Sequence, residues 1–255
     1  MPILSQQEID RFRTDGYLIL DTGLPEPVLD GIVSDLDGKY PDGVNRDGVL
    51  PPTRVQDAWK FSENVRRLAT APRVMDALRE LYGREALPFQ TLNFPTGTLQ
   101  PAHSDALHFN SCPAGYMCGV WVALEDCDEA NGAIEYYAGS HLLPEFNMAD
   151  VGVPALEENY AEYEEFIVQV IERFGLERDT ANLKKGQALI WTSSLIHAGG
   201  RRDDLFRSRH SQVTHVFFEN CSYYTPMKSR GLDVCWRNPE FIPKTATARG
   251  RRQVG

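Results

Sequence analysis

Helical patterns of apolar residues dominate the first third of the chain. Ser5 and Glu8 form a capping box in front of an apolar stripe, and Gly16 provides the C-terminal stop of this first helix. The apolar run at 17–20 predicts a short first strand. The segment 41–53, rich in proline and glycine, predicts a loop. Further helices are predicted at about residues 25–40, 63–69 and 72–81, the last ending at Gly83.

Strand patterns take over in the second part of the chain. Because helices come first and strands dominate afterwards, the order favours the α+β class, with the strands forming a double-sheet barrel. The predicted strands occupy 89–94, 116–124, 133–137, 187–191 and 212–219. We expect a single domain over 1–255, with a helical part at about 1–85, a barrel at about 86–225 and a C-terminal tail at 226–255.

One amphipathic helix interrupts the strands at about residues 156–174. Its apolar residues recur at helical spacing, Gly175 ends it, and its outer face is strongly acidic. Two interpretations remain open at this point. The helix either packs on a sheet as an ordinary surface helix, or forms an inserted lid over a functional site.

Composition and charge narrow the class of protein and its partners. Apolar residues make up 42% of the 255 residues and charged residues 24%, which is typical of a globular domain with a sizeable core. The net charge of -10 gives no electrostatic footprint for nucleic acid, and the basic cluster at 249–252 is typical of a solvated tail. No apolar run reaches membrane-spanning length. We therefore expect neither a nucleic-acid nor a membrane partner.

The cysteines indicate the compartment. The chain has five of them, no two form a CxxC pair, and the first residues lack the charged and apolar regions of a signal peptide. An odd number without a secretory signal is typical of reduced thiols that pack as small apolar side chains. The expected location is the cytoplasm.

Three residues form a candidate metal site. His103 and Asp105 are two positions apart, so on a strand their side chains would point to the same side. His197 follows the apolar strand at 187–191 and can return to the same place. A His-x-Asp pair alone is usually a surface or hydrogen-bonded pair, and a lone histidine is usually a core residue. Together, two imidazoles and one carboxylate form the facial triad typical of non-haem iron(II), with positions left open for ligands.

These motifs together resemble the phytanoyl-CoA dioxygenase family of iron(II)- and 2-oxoglutarate-dependent oxygenases. The resemblance covers nearly the whole chain and begins at the first helix, where Asp15, Gly16 and Tyr17 lead into the first strand. It continues through the strand that contains Asn93, the His103-Ser104-Asp105 motif, 120–126, Asn131-Gly132, 138–141, His197 and Arg209. The implied fold is a double-stranded β-helix, also called a jelly roll or cupin-like barrel, with N-terminal helices and an inserted helix.

The resemblance also implies roles for individual residues. His103, Asp105 and His197 match the metal ligands, and Arg209 matches the arginine that binds the distal carboxylate of 2-oxoglutarate; paired guanidinium donors suit that task. Arg207 is the rival for that role, but Arg209 stands six residues before His215, as the family pattern has it. Further matches suggest that Ser211 adds a hydroxyl to the same carboxylate, and that Trp121 and Asn93 line the cosubstrate pocket.

The implied reaction is the oxidation of a small organic substrate with Fe(II), 2-oxoglutarate and O2, releasing succinate and CO2. A carboxylate at Asp105 favours hydroxylation, desaturation or ring closure, because halogenating relatives carry a small residue at this position. Two alternatives remain: a cupin-type metalloenzyme that works without 2-oxoglutarate, and a non-catalytic ligand-binding barrel. Arg209 distinguishes the oxygenase from the cupin-type metalloenzyme, since an enzyme that works without 2-oxoglutarate needs no buried arginine facing its metal. An acyl-CoA substrate would require basic residues near the mouth of the site, for which the net acidity gives little support.

Overall fold

A six-stranded antiparallel sheet, with N-terminal helices on one face, forms the centre of the protein. The computed structural model describes residues 2–41 and 53–244. Within them the helices are α1 (Gln6–Asp15), α2 (Glu26–Leu36), α3 (Glu63–Ala69), α4 (Pro72–Tyr82), α5 (Met148–Val151) and α6 (Tyr160–Phe174). The strands are β1 (Tyr17–Asp21), β2 (Val55–Gln56), β3 (Ala86–Phe94), β4 (Asn110–Cys112), β5 (Met117–Ala123), β6 (Ile134–Tyr136), β7 (Asp179–Thr180), β8 (Gln187–Thr192), β9 (His197–Gly199), β10 (Ser211–Phe218), β11 (Ser222–Tyr224) and β12 (Trp236–Arg237).

The N-terminal helices follow their local signals. The Ser5 hydroxyl accepts from the amide of Glu8 while the Glu8 carboxylate accepts from the amide of Ser5, which confirms the predicted capping box. Gly16 ends α1 with a φ of 83°, a conformation that glycine adopts without strain. α2 ends at Leu36, four residues before the predicted end at residue 40. Most of the predicted loop at 41–53 lies outside the described residues.

The large sheet has the strand order β1-β8-β5-β10-β3-β2, and every neighbouring pair is antiparallel. Its two edge strands come from the N-terminal part of the chain. The division into a helical part at 1–85 and a barrel at 86–225 is therefore incomplete, because β1 and β2 complete the barrel's main sheet. Its middle strands, β5, β8 and β10, carry side chains buried on both faces.

The two faces of this sheet pack into different cores. Val120, Val122 and Ile190 pack against the N-terminal helices, together with Leu29 and Ile32 of α2. The alternate residues face the barrel interior, where they meet the apolar side chains of β6; this inner core includes Trp121, Leu189, Trp191, Val213, Ile134 and Tyr136. Strand alternation therefore decides which side chains can reach the interior.

Two three-stranded sheets complete the barrel. One has the order β7-β6-β9 and packs against the interior face of the large sheet. The other has the order β12-β11-β4, so that the C-terminal segment pairs with strands from the barrel rather than forming a separate tail. These antiparallel sheets with N-terminal helices confirm the predicted fold class, an α+β protein with a double-stranded β-helix.

Helix α6 packs on the barrel with one face. Tyr163, Ile167 and Val170 are buried in a cluster that also contains Ile196 and Ala198, the neighbours of His197. The amphipathic packing fits the interpretation of a surface helix.

No helix of the described residues is long and apolar enough to cross a bilayer. The basic cluster at 249–252 lies outside the described part of the chain, and all five cysteines carry free thiols.

Candidate active site

The three predicted metal ligands come from a bridge, a turn and a strand. His103 and His197 exchange two backbone hydrogen bonds of 3.0 Å each, which fixes the two histidines side by side. Asp105 does not continue a strand, so the predicted extended geometry of this pair is wrong. It begins a 3-10 turn, Asp105–Leu107, that is capped by the hydroxyl of Ser104. The turn, rather than strand alternation, brings the carboxylate back to the histidines.

These side chains converge on one point. One ligand atom from each of His103, Asp105 and His197 lies within 4.8 Å of the other two. Nε2 of His197 is 4.0 Å from Oδ1 of Asp105, and the two imidazole rings are 4.5 Å apart. All three residues are buried, with relative exposures of 5%, 6% and 5% in chain order. The donor set of two imidazoles and one carboxylate fits iron(II).

Backbone carbonyls hold the imidazoles in a single orientation. Nδ1 of His103 donates to the carbonyl of Pro101 at 2.8 Å, and Nδ1 of His197 donates to the carbonyl of Leu195 at 3.0 Å. With the proton held on Nδ1, the lone pair of each ring lies on Nε2, on the side of the cluster. This is the arrangement by which proteins fix the tautomer of a metal-binding histidine.

The carboxylate of Asp105 is also held by hydrogen bonding. The indole Nε1 of Trp191 donates to its Oδ2 at 2.8 Å. Burial by itself raises the pKa of Asp105, but the nearby histidines and the Trp191 hydrogen bond outweigh it, so the pKa lies below the ordinary value. Burial, followed by repulsion from His197, lowers the pKa of His103. At neutral pH the site therefore offers an ionised carboxylate and a neutral imidazole, the forms that bind a metal.

Two polar side chains beside the cluster were not predicted. The amide of Gln100 lies 3.2 Å from Nε2 of His103, so a metal bound at that nitrogen requires this side chain to rotate away. His215 places Nε2 at 3.8 Å from Oδ2 of Asp105 and donates from Nδ1 to Gln90 at 2.8 Å. From the sequence, His215 was relevant only because its spacing from Arg209 supported the choice of that arginine.

A cavity of about 500 Å³ opens over the cluster, a volume in the range of small-molecule sites. The ligands lie in its wall together with apolar, aromatic and basic side chains. Among the predicted site residues, Arg209 and Trp121 line it. The guanidinium carbon of Arg209 lies 5.3 Å from the centre of the Trp121 ring. The structure therefore brings these two residues to one cavity with the candidate metal ligands.

Arg209 is a fully buried guanidinium. Its terminal nitrogens donate to the carbonyls of Gly132 at 2.9 Å and Thr96 at 3.2 Å, and its Nε has no hydrogen-bond partner in the described part of the chain. No carboxylate of the described residues forms a salt bridge with it. Burial lowers its pKa to about 10, so the side chain is still charged at neutral pH. The rival Arg207 instead pairs with Asp128 at 2.8 Å, outside the cavity.

The remaining two predicted residues differ in placement. Ser211 is fully buried with an unpartnered hydroxyl, and its strand neighbours Phe94 and Ala123 belong to the barrel interior. Asn93 faces the other side of the sheet, where its amide donates to Gln212 at 3.2 Å. Its neighbours Leu92 and Phe94 line the cavity instead. The prediction that the Asn93 side chain lines the pocket is therefore wrong, because successive side chains of the strand point to opposite faces of the sheet.

The rim of the cavity is formed by parts of the chain outside the large sheet. Glu157 and Tyr160, at the start of the inserted helical region, belong to the lining. So do Lys228 and Arg237 from the C-terminal segment. Lys228 and Arg237 could not be predicted, because the segment after residue 225 contains several prolines and little periodicity.

The fold and this cluster define a cupin-like barrel protein with a candidate mononuclear metal site. A family model described as phytanoyl-CoA dioxygenase matches residues 12–209. The chain therefore belongs to the phytanoyl-CoA dioxygenase family, as its motifs predicted. A curated relative from Caenorhabditis elegans, a probable phytanoyl-CoA dioxygenase, is 25% identical over 219 residues. The match covers 79% of this chain and 66% of that relative, slightly less than two thirds of its length.

Solved structures share the fold at lower identity. The non-haem alpha-ketoglutarate-dependent epimerase SnoN from nogalamycin biosynthesis is 21% identical with a TM-score of 0.68, over 88% of this chain and 86% of that one. The carbocyclase SnoK from the same biosynthesis is 17% identical with a TM-score of 0.70, over 86% of each chain. EctD from S. alaskensis, solved with 2-oxoglutarate and 5-hydroxyectoine, is 18% identical with a TM-score of 0.67, over 95% and 87%.

Proposed function

We propose that this protein is an iron(II)- and 2-oxoglutarate-dependent dioxygenase that hydroxylates, or otherwise oxidises, a small organic substrate and releases succinate and CO2. Membership of the family and the related structures with bound iron or 2-oxoglutarate support this class. The single observation that carries the proposal for this chain is the buried, unpaired guanidinium of Arg209 in the same cavity as the His103, Asp105 and His197 cluster.

The cluster fits iron(II) by its donor chemistry. Pro101, Leu195 and Trp191 bind the other polar atoms of the three ligands, so Nε2 of both imidazoles and Oδ1 of Asp105 would bind the metal, once the Gln100 amide has moved away from Nε2 of His103. Three protein ligands leave coordination positions for the cosubstrate and dioxygen. When bound, iron(II) and 2-oxoglutarate supply the oxidising chemistry, in which decarboxylation to succinate accompanies oxidation of the substrate.

Arg209 fits the distal carboxylate of 2-oxoglutarate. A buried cation is costly without a partner, and a carboxylate would neutralise it through charge-assisted hydrogen bonds. Nε of Arg209 and the hydroxyl of Ser211 are two buried polar atoms without partners among the described residues, and both can donate to such a group. Trp121, whose ring faces the guanidinium, forms part of the same wall and limits where the cosubstrate can lie.

The rest of the site orients and shields the reacting groups. The hydrogen bond from Trp191 fixes the carboxylate plane of Asp105, and the two backbone carbonyls fix both imidazoles, so metal binding requires little reorganisation of these ligands. The low exposure of all three ligands limits the access of water. The substrate is a small molecule that enters the same cavity.

Five free thiols are typical of a reducing compartment, and we propose a cytoplasmic location.

Anaerobic titration calorimetry of Fe(II)-loaded protein with 2-oxoglutarate, followed by a substrate screen that measures succinate, tests the proposal. We expect one 2-oxoglutarate per metal and substrate-stimulated succinate release. Metal binding without 2-oxoglutarate binding would indicate the cupin-type metalloenzyme. Binding of both without succinate release from any candidate substrate would support a non-catalytic barrel. The Asp105→Ala variant, which removes the cluster's carboxylate, is the control for metal-dependent signals.

A further inference from the structure

Arg237, close to the end of the described chain, is placed in the cavity by the C-terminal strand pairing. β12 pairs with β11, and the Cα atoms of Arg237 and Tyr223 are opposite each other in this ladder. The guanidinium carbon lies 4.8 Å from the centre of the Phe109 ring and 5.9 Å from that of Phe89. Nη1 donates to the hydroxyl of Thr225 at 2.8 Å. The side chain is therefore held in one position by aromatic stacking and a hydrogen bond.

Within the described ranges 2–41 and 53–244, the guanidinium of Arg237 has no acidic partner. Its buried Nε makes no hydrogen bond to these residues, and none of their carboxylates forms a salt bridge with it. Partial burial disfavours the charged form and lowers the pKa of Arg237. A cation held by ring stacking in a cavity wall, with a free buried donor, is suited to bind an anion.

The charge of the cavity lining also favours the binding of an anion. Its lining contains four basic side chains and two acidic ones, although the chain as a whole has a net charge of -10. Asp105 belongs to the metal cluster and Arg209 to the proposed cosubstrate site. Lys228 and Glu157 form a long, exposed ion pair of 3.9 Å that largely cancels. Arg54 and Arg237 then leave an excess positive charge in the rest of the cavity.

Arg237 is separate from Arg209 but still connected to the metal cluster. Arg209 contacts Trp121, Gly132 and Thr96, whereas Arg237 contacts Phe89, Phe109 and Thr225. Phe109 lies beneath Arg237, and its ring is 4.8 Å from that of His215, which in turn lies 3.8 Å from Asp105. A substrate anion on Arg237 would therefore place its attached carbon chain along Phe109 towards the cluster.

We propose that the substrate is an organic anion, a carboxylate or a phosphate ester with an apolar body, and that Arg237 binds its charged group. The proposal rests on the proposed function, because it assigns the substrate side of that same cavity. Phe109, Tyr160 and Met227 provide the apolar surface for the body of the molecule. Arg237 lies outside residues 12–209 that the family model matches.

The test is binding calorimetry under anaerobic conditions with Fe(II)- and 2-oxoglutarate-saturated protein. The probes are hexanoate, decanoate and 3-phenylpropanoate, each with its primary amide, and hexyl phosphate with hexanol. We expect at least one anion to bind about tenfold or more tightly than its neutral counterpart. In Arg237→Gln this preference should disappear, and in Arg237→Lys it should be partly retained. Arg230→Gln is the matched control, since this exposed arginine lies in the same segment but not in the cavity lining.

The outcomes separate the assignment from the proposed function. If no anion binds better than its neutral counterpart, or the preference survives in Arg237→Gln, the anion site at Arg237 is wrong, while 2-oxoglutarate binding still tests the enzyme class. If an anion is preferred, the relative affinities of the carboxylates and of hexyl phosphate show which of the two kinds of anion binds at Arg237. If Arg237→Gln instead weakens binding of 2-oxoglutarate itself, Arg237 serves the cosubstrate, and both assignments of the cavity arginines must be exchanged.

Discussion

The indole nitrogen of Trp191 lies 2.8 Å from Oδ2 of Asp105 and donates a hydrogen bond to it. The bond satisfies one carboxylate oxygen and leaves Oδ1 directed towards the histidines, where Nε2 of His197 is 4.0 Å away. The Trp191 ring also packs on the His197 ring, with 4.6 Å between their centres. One side chain thus positions two of the three candidate metal ligands.

We expect Trp191→Phe to weaken iron(II) binding by roughly 10–100-fold, the range found when outer partners of metal ligands are removed. The fold should survive, because phenylalanine keeps most of the apolar contacts. Anaerobic metal titration measures the change. Trp59→Phe is the matched control, since it removes an indole hydrogen bond to another aspartate, Asp57, that lies outside the cavity lining. Equal metal affinity in the two variants would show that Trp191 does not position Asp105.

Gly119 offers a second way to displace the same indole. It lies opposite Trp191 in the β5–β8 ladder, and a Cβ at this position would be 2.4 Å from Cε2 of the indole. We expect Gly119→Ala to move the ring away from Asp105 and to weaken metal binding. In the double variant with Trp191→Phe, the two losses of affinity should not add, because both act on one contact. Additive losses would mean that Gly119 acts on the site by another route.

Removal of any one of the three candidate metal ligands should abolish the function of the site. His103→Ala, Asp105→Ala and His197→Ala are expected to abolish metal-dependent activity and reduce iron binding without unfolding the protein, as measured by metal titration and circular dichroism. Asp105→Glu should also fail, because the added methylene shifts the oxygen further than a rigid site tolerates. His108→Ala is the control, since this histidine lines the cavity but lies outside the cluster. Full activity in any ligand variant would remove that residue from the triad.

The parts of the structure that follow local signals were predicted from the sequence. The capping box at Ser5 and the stop at Gly16 act over a few residues, so α1 is correctly predicted. The metal cluster was predicted because its residue types and order suit one metal. Its geometry was not, since Ser104 caps a 3-10 turn that a His-x-Asp pattern does not reveal.

Side-chain direction in the buried strands was harder to predict. Around Asn93 the polar side chains of Thr91 and Asn93 alternate with the apolar side chains of Leu92 and Phe94, and all four are buried. Because both faces of the strand are covered, this alternation does not show which face lines the cavity. Asn93 was therefore assigned to the cavity, although Leu92 and Phe94 line it. Arg237 was missed for another reason, because a two-residue strand pairing carries almost no sequence signal.

Arg209 separates the enzyme classes by its effect on the cosubstrate. Arg209→Lys keeps a positive charge but loses the paired donors, so the apparent KM for 2-oxoglutarate should rise while iron binding stays unchanged. Arg209→Ala leaves the carboxylate unpaired in a buried site, for which a loss of about 2–5 kcal/mol is expected. Succinate release as a function of 2-oxoglutarate concentration measures both effects.

Arg207 provides the matched pair of variants. It lies two residues away, but its guanidinium binds Asp128 with the side chain 39% exposed, so Arg207→Lys and Arg207→Ala should leave the KM for 2-oxoglutarate almost unchanged. A defect confined to the Arg207 variants would mean that the wrong arginine has been assigned. If neither pair changes the KM, 2-oxoglutarate is not held as proposed.

Hydrogen exchange can decide between the lid and the surface-helix interpretations of α6. Tyr163, Ile167 and Val170 anchor the helix in the barrel, whereas Glu157 and Tyr160 at its start line the cavity. A lid that closes over the ligand should gain protection at 157–163 when Fe(II), 2-oxoglutarate and the tightest-binding probe are added.

The second half of α6 serves as the internal reference, because its buried face already packs on the barrel; residues 167–174 should exchange at the same rate with and without ligands. α2 provides a remote control, since it packs on the other face of the large sheet. Increased protection over the whole of α6 would indicate that the entire helix docks on ligand binding. Unchanged exchange throughout 157–174 would leave α6 as a surface helix whose first turn forms a fixed part of the cavity wall.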